Sequence, residues 1–313
     1  MYSQAKPSSP KCGKKPPSAS SSKPKSSNVR QSSSATPPSN YNQQNNEAEI
    51  MSKTLLSLKQ IRKLQQKRTR AQLGLAYIEG NRVVTQALQS GASIQQCVYA
   101  PELLVSPRSQ QTLLDLKKRN VPVTAVSPQA FQKLAIKDSA GLAAVIKTRL
   151  EKLTNIKPET GTNWVALDQI ANPGNLGTIM RTSDATNRHG IILLGEGTTD
   201  PYHPTAIAAS VGSLFALRLA TATFAEFIDW KTRGNLPVVA ATGEAAQPYR
   251  SYHYPKNTIL LMGSEQKGLS TAQQAACDAT VSIPMSGTAD SLNLAVATAV
   301  ILYEIYHQHN PSS

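Results

Sequence analysis

Cysteine is scarce in this chain, with only Cys12, Cys97 and Cys277 in 313 residues. They show no pairing spacing and no C-x-x-C. That argues against a disulfide framework and a cysteine zinc site and fits a reducing compartment, so cytoplasmic residence is the expectation. No apolar run reaches membrane-spanning length and no apolar signal core follows Met1, so no membrane partner is expected. The Ser-rich, acid-poor start has some features of an organelle transit peptide. It is rich in Lys and Pro rather than Arg, however, and shows no amphipathic period. The five histidines, His189, His203, His253, His307 and His309, are scattered and form neither H-x-x-x-H nor H-x-E, so no metal is expected. A serine nucleophile would need G-x-S-x-G and a partnered histidine, and neither is present. Gly263-Ser-Glu-Gln-Lys-Gly268 has the glycine spacing of a P-loop, but Leu269-Ser270 stands where Lys-Ser/Thr would neutralise phosphates. Gly195-Glu-Gly197 starts like a dinucleotide fingerprint, yet Asp200 fills the third glycine position and the segment follows the wrong strand.

What the chain does have is an uneven charge. Residues 1–50 hold thirteen Ser, seven Pro and seven Lys/Arg against Glu47 and Glu49. Such a segment cannot bury enough apolar surface to offset its ordering entropy, so disorder is expected there. Residues 51–150 carry sixteen basic and four acidic side chains, whereas residues 151–313 carry ten and thirteen. A basic front on a mildly acidic rear points to a front that holds a polyanion, RNA or DNA, and a rear that does something else.

The periodicity places a helix over Ser52 to about Arg70, with Leu55, Leu58, Ile61 and Leu64 interspersed with Lys59, Arg62, Lys63, Lys67, Arg68 and Arg70. Strands and helices then alternate to about Lys147 and form a small α/β unit. A polar stretch, Arg149 to Thr162, reads as a connector. In the rear, strands are expected at Trp164–Leu167, Ile191–Leu194, Val238–Ala241, Ile259–Met262 and Val281–Met285. Helices are expected at about Asn175–Ala185, Thr205–Leu214, Phe224–Thr232, Thr271–Cys277 and Leu292–Tyr306. The expected organisation is a tail over 1–50, a basic α/β unit over 51–148, a connector over 149–162 and a rear domain over 163–313. The fold class is α/β, with a mostly parallel sheet covered on both faces in the rear. Ligands in such sheets sit beyond the carboxyl ends of the strands. The unusual residues fall there: Asn172-Pro-Gly-Asn175, Thr242-Gly243, Gly263-Ser-Glu265 and the run from Pro284. Asp290, Ser291 and Asn293 crowd the start of the last apolar helix, where one capping side chain would suffice.

Taken in order, Asn172-Pro-Gly-Asn-Leu-Gly-Thr-Ile-Met-Arg181-Thr, Leu260–Ser270 and Ile283–Asn293 resemble the three motifs of the SpoU/TrmH-type branch of SPOUT RNA 2′-O-ribose methyltransferases. The resemblance covers about Trp164 to Tyr306. The front, with its basic helix and Tyr77-Ile-Glu-Gly-Asn-Arg82, looks like the small α/β RNA-binding domain that often precedes the catalytic domain in this family.

The resemblance implies S-adenosyl-L-methionine as cofactor, a deep trefoil knot over roughly Thr258 to Leu302 and a homodimer. It assigns cofactor binding to Gly263, Ile283 and Leu292, with Thr242, Gly243 and Met285 in the same pocket. The basic residues Lys59, Arg62, Lys63, Lys67, Arg68, Arg70 and Arg82 would face RNA, with ribosomal RNA favoured over transfer RNA. Arg181 matches the family's catalytic arginine, often cast as the base. A guanidinium is a poor base, which favours electrostatic activation of the ribose hydroxyl; a helix-face ion pair with Asp184 is the plainer role. Asn175, Glu265, Ser291 and Asn293 match the remaining polar site residues, against plainer roles of helix capping for the two asparagines and loop bonding for Glu265. Ala208 stands where the family often has an arginine, so Arg188 or Arg218 would have to supply a substrate-phosphate contact. A transfer RNA enzyme and an inactive RNA-binding protein of the same fold are the competing readings.

Overall fold

The computed structural model describes residues 55–136 and 141–311. The expected disordered tail over 1–50 lies outside the described residues. The front opens with two short helices, α1 (Leu58–Lys63) and α2 (Lys67–Leu73), rather than the single helix that the leucine spacing predicts. The interruption has a physical cause. The Arg70 Nη1 donates to the carbonyls of Leu64 (2.9 Å) and Gln65 (2.8 Å), which a continuous helix would need for its own backbone. Ser57 and Gln60 form a reciprocal cap at the start of α1.

Four strands follow, β1 (Leu75–Glu79), β2 (Ile94–Tyr99), β3 (Val123–Ala125) and β4 (Leu142–Lys147), in the sheet order β1-β4-β2-β3. Helix α3 (Asn81–Gln89) joins β1 to β2, α4 (Pro107–Lys118) joins β2 to β3, and α5 (Pro128–Gln132) comes before β4. The β1–β4 and β2–β4 pairs are antiparallel and β2–β3 is parallel.

The second sheet has seven strands. They are β5 (Glu151–Lys152), β6 (Trp164–Asp168), β7 (Gly190–Leu194), β8 (Arg218–Ala222), β9 (Val238–Ala241), β10 (Ile259–Met262) and β11 (Ala279–Val281). Their order is β11-β9-β10-β6-β7-β8-β5, and every pair is parallel. The helices are α6 (Pro173–Ala185), α7 (Pro204–Ser210), α8 (Phe224–Arg233), α9 (Thr271–Ala275) and α10 (Leu294–His309). Side chains alternate between two cores, as strand geometry requires. Val165, Leu167, Ile191, Leu193, Leu260 and Met262 share one core with α6, α7 and α10. Ala166, Ile192, Leu194, Ile259 and Leu261 share the other with Phe227 and Trp230 of α8.

Four differences from the sequence reading matter. Strand β8 falls in a stretch to which the sequence pattern assigns no element, and the helix placed over Thr205–Leu214 ends at Ser210 with Val211 in the left-handed region (φ 53°). The last strand ends at Val281, so Ile283–Met285 are not strand. Part of the 149–162 connector is built into the second sheet: β5 pairs with β8, Leu153 and Ile156 are buried, and the Trp230 indole donates to the Ile156 carbonyl at 2.7 Å.

The front and rear share one core. Ile78, Val83, Val84, Ala87 and Ile146 lie in the same apolar cluster as Leu176, Ala206, Ile207 and Leu214. At Gly212 (φ 98°) a β-carbon would overlap the Gln86 side chain of α3, so the loop after α7 sits directly on the front unit. A buried ion pair adds a polar tie. Arg70 is 3 % exposed, and its Nη2 lies 2.7 Å from the Asp200 carboxylate, in the loop after β7. Arg70 therefore does not face RNA, contrary to the sequence expectation. Removing one partner of a buried pair typically costs about 3 kcal/mol or more, whereas exposed lysines cost under about 0.5 kcal/mol. Arg70→Ala is accordingly expected to lower the unfolding free energy by about 3 kcal/mol in urea denaturation, with Lys63→Ala almost silent.

Candidate active site

The carboxyl ends of β6, β9, β10 and β11 open into one cavity of about 880 Å³. Its walls come from all three sequence motifs: Asn172 and Asn175 after β6, Gly263 to Gln266 after β10, and Ile283, Met285 and Asp290 to Leu294 before and within α10. Thr242 and Gly243 after β9 complete it. Of the expected catalytic and cofactor residues, Asn175, Glu265, Ser291, Asn293, Thr242, Gly243, Gly263, Ile283, Met285 and Leu292 all line this cavity; Arg181 does not.

A chain of hydrogen bonds runs across the cavity wall. Asn293 caps α10: its Oδ1 accepts from the amides of Ala295 (2.9 Å) and Val296 (3.4 Å). Its Nδ2 is left to donate to the Asn175 Oδ1 at 3.1 Å. The Asn175 Nδ2 in turn donates to the Glu265 Oε1 at 2.7 Å. The other carboxylate oxygen, Oε2, accepts from the amides of Ala171 (3.1 Å) and Asn172 (3.3 Å). Capping and site roles therefore coincide in Asn293. Asn175 does not cap its helix. Asn172 does, its Oδ1 accepting from the amides of Gly174 and Asn175, with Pro173 at the first helical position. Asn172 thus joins the site beyond the expected set; Asn-Pro-Gly in the turn between a strand and a helix is its signal in the sequence. Asp290, also crowded at the start of this helix, lines the cavity but does not cap it.

The loop after β10 closes tightly on itself. Ser264 and Gly268 exchange backbone hydrogen bonds of 3.2 and 3.0 Å. A β-carbon at Gly263 would overlap the Gly268 carbonyl, so this glycine serves the loop's own closure. At Gly243 a β-carbon would meet nothing within 4 Å, which leaves that backbone open to the cavity. Among the described residues, no backbone–backbone hydrogen bond involves residues 283–292. Of these, Ile283, Met285, Asp290, Ser291 and Leu292 line the cavity, beside the apolar Met262, Leu269, Val281 and Ala297.

Arg181 lies six residues beyond Asn175 on α6 and is exposed. That spacing is about 9 Å along the axis and roughly one-third of a turn around it from the cavity-facing side. No ion pair or hydrogen bond holds its side chain among the described residues, so the pairing with Asp184 is not formed. Arg188 and Arg218, the suggested substitutes for the arginine missing at Ala208, sit at the amino end of the sheet, opposite the cavity. Arg188 is 6 % exposed, and burial pushes its guanidinium down to about 10. Arg218 is held by both oxygens of Glu151, at 3.1 and 2.8 Å. Lys59, Arg62, Lys63, Lys67, Arg68 and Arg82 are all exposed on the front unit.

Comparison with known proteins decides the family. A model of the SpoU rRNA methylase family matches residues 162–303, and one of an MRM3-like substrate binding domain matches residues 56–144. The 23S rRNA (uridine(2479)-2'-O)-methyltransferase of Streptomyces viridochromogenes is 32 % identical over 250 residues, 77 % of this chain and 85 % of that protein. The chain belongs to the SpoU methylase family. The 23S rRNA (guanosine(2553)-2'-O)-methyltransferase of Bacillus subtilis is 26 % identical over 249 residues, 79 % of this chain and 95 % of that one. The crystal structure of an AdoMet-bound rRNA methyltransferase from Sinorhizobium meliloti matches with a TM-score of 0.72 and 36 % identity, over 80 % of this chain and 94 % of that one.

Asn293→Ala removes both the cap and the tether to Asn175, whereas Asn293→Asp keeps the cap acceptor and removes only the tether donor. Alanine is expected to lower the unfolding free energy by about 1 kcal/mol and aspartate by less than about 0.5 kcal/mol, as read by urea denaturation. Equal losses would mean that capping is not what Asn293 contributes to stability.

Proposed function

We propose that the chain is an S-adenosyl-L-methionine-dependent RNA 2′-O-ribose methyltransferase acting on ribosomal RNA. The observation that carries the reading is the single cavity into which all three motifs converge at the carboxyl rim of a parallel sheet. The residues fit the cofactor. Uncommitted backbone over 283–292 and the open backbone at Gly243 offer donors and acceptors to an adenine and its ribose, between apolar walls that exclude water. When bound, the cofactor supplies a methyl group on a cationic sulfur to the attacking oxygen.

The protein's own part is positioning. Glu265 holds the Asn175 amide, and Asn293 holds it from the other side, so both ends of that side chain are fixed before RNA arrives. Ser291 is exposed beside them and is assigned to hydrogen-bonding the ribose. Enforced proximity of hydroxyl and methyl accounts for about 7–11 kcal/mol in favourable systems. Arg181 is assigned to stabilising the alkoxide that develops on the 2′-oxygen as its proton passes to solvent water, and to holding the neighbouring phosphate. The front unit, with its exposed basic face, is assigned to the RNA duplex or loop around the target. Cytoplasmic residence belongs to the same reading.

Two further features belong to this proposal. A trefoil knot is supported by β10 lying between β9 and β6, and by α10 returning from the edge strand β11 to pack on α6. A homodimer is supported by the apolar flank of α10, where Val296 is 49 % and Tyr303 53 % exposed, and by the position of Arg181 off its own cavity. In the dimer, the Arg181 of one protomer serves the cavity of the other.

Arg181→Ala is expected to lower methyl transfer to ribosomal RNA by about 10²–10³-fold, with calorimetric binding of S-adenosyl-L-methionine unchanged. Full activity in that variant would remove the assignment. Tyr303→Glu is expected to give a monomer by light scattering and to lose transfer in parallel; a fully active monomer would place Arg181 at its own cavity. Mapping of ribose methylation on RNA from cells lacking the protein separates a ribosomal from a transfer RNA target.

A further inference from the structure

A second cavity of about 280 Å³ opens on the same rim, over the carboxyl ends of β7 and β8, where the front unit meets the rear. Its floor is Leu193 and Tyr202, its sides are Leu150 and the Gly195–Thr199 loop, and Lys67 and Ala71 of α2 stand at its mouth. The Arg70–Asp200 pair forms one wall, its two charges engaged with each other through the Arg70 Nε, which donates to the Asp200 Oδ2 at 2.8 Å. Lys67 is exposed and no carboxylate pairs with it among the described residues. The other exposed cations of α1 and α2, Lys59, Arg62, Lys63 and Arg68, lie on the same pair of helices.

The chemistry of the wall is selective. Tyr202 is fixed: its hydroxyl accepts from the Arg149 amide at 2.7 Å and donates to the Arg149 carbonyl at 3.0 Å. The Thr198 hydroxyl is likewise committed to the Leu194 carbonyl at 2.8 Å. The hydroxyls of Thr148 and Thr199 make no hydrogen bond among the described residues and remain able both to donate and to accept. A small, largely apolar slot with two free hydroxyls and a cation at its lip suits a flat heteroaromatic ring joined to a phosphate. RNA presents that group when a base is turned out of its stack. The sheet order sets the distance from the cofactor cavity: three strand spacings of about 4.8 Å make roughly 14 Å, which a few nucleotides of single strand can span.

We propose that this cavity receives one unstacked nucleobase of the RNA, flanking the methylated nucleotide, with Lys67 on its phosphate. The proposal rests on the RNA reading above. Two measurements on the full chain test it. In the first, wild-type protein is cross-linked by ultraviolet light to ribosomal RNA and digested, and the nucleotide-bearing peptides are identified by mass spectrometry. A mononucleotide adduct on the segment 193–202 or at Leu150 is the expected result. Adducts confined to other surfaces overturn the proposal and leave the methyltransferase reading intact; no adduct anywhere overturns both. In the second, Ala71→Trp plugs the mouth from an exposed helix position. The expected result is a roughly tenfold rise in KM for RNA, equivalent to about 1.4 kcal/mol, with kcat at saturating RNA, cofactor affinity and the denaturation midpoint unchanged. An unchanged KM, or a fall in kcat alone, overturns the proposal.

Discussion

Parallel pairing is the constraint on which the site depends. Because every strand of the seven-stranded sheet runs the same way, every strand-to-helix turn that follows a strand comes out on one rim. Segments far apart in the chain, around residues 172, 243, 265 and 291, are thereby brought to one cavity without any of them having to reach for it. The amino rim collects the opposite set: Arg188 and Arg218 lie there, one buried and the other held by Glu151, and neither lines the cavity. The same geometry makes the hydrogen-bond chain through Asn293, Asn175 and Glu265 possible, since it links the turns after β6 and β10 to the start of α10.

Within that frame, the polar residues divide by what they hold. Glu265 accepts from three donors, all in the segment 171–175, and so fixes the first turn of α6 from outside. Gly263 permits the loop that carries Glu265 to fold onto itself. Ser291 and Arg181 are exposed and left without such ties.

The strands β6, β7, β9 and β10 were legible because each is a continuous apolar run, as buried parallel strands must be. Strand β8, Arg-Leu-Ala-Thr-Ala, alternates small and polar residues near the sheet edge and carries no such signal. The connector was misread for a related reason: Leu153 and Ile156 are isolated in polar sequence, and only the tertiary partner Trp230 shows why they are buried. The break between α1 and α2 was invisible because the apolar spacing continues through it, while its cause is a guanidinium six residues away. That same guanidinium defeated the charge argument. Composition counts Arg70 with the RNA-facing cations, and only its burial against Asp200 separates it from them. The residues of the three motifs come together because they lie in three short segments at one rim of the sheet; Arg181 lies away from the cavity those segments form.

The shared core of the front and rear has a consequence for how a target is chosen. Gln86 against Gly212, Arg70 against Asp200 and the common apolar cluster leave the basic face no hinge on which to swing. The distance from that face to the cavity of the three motifs is therefore a fixed length, and whatever touches both has to span it by its own shape.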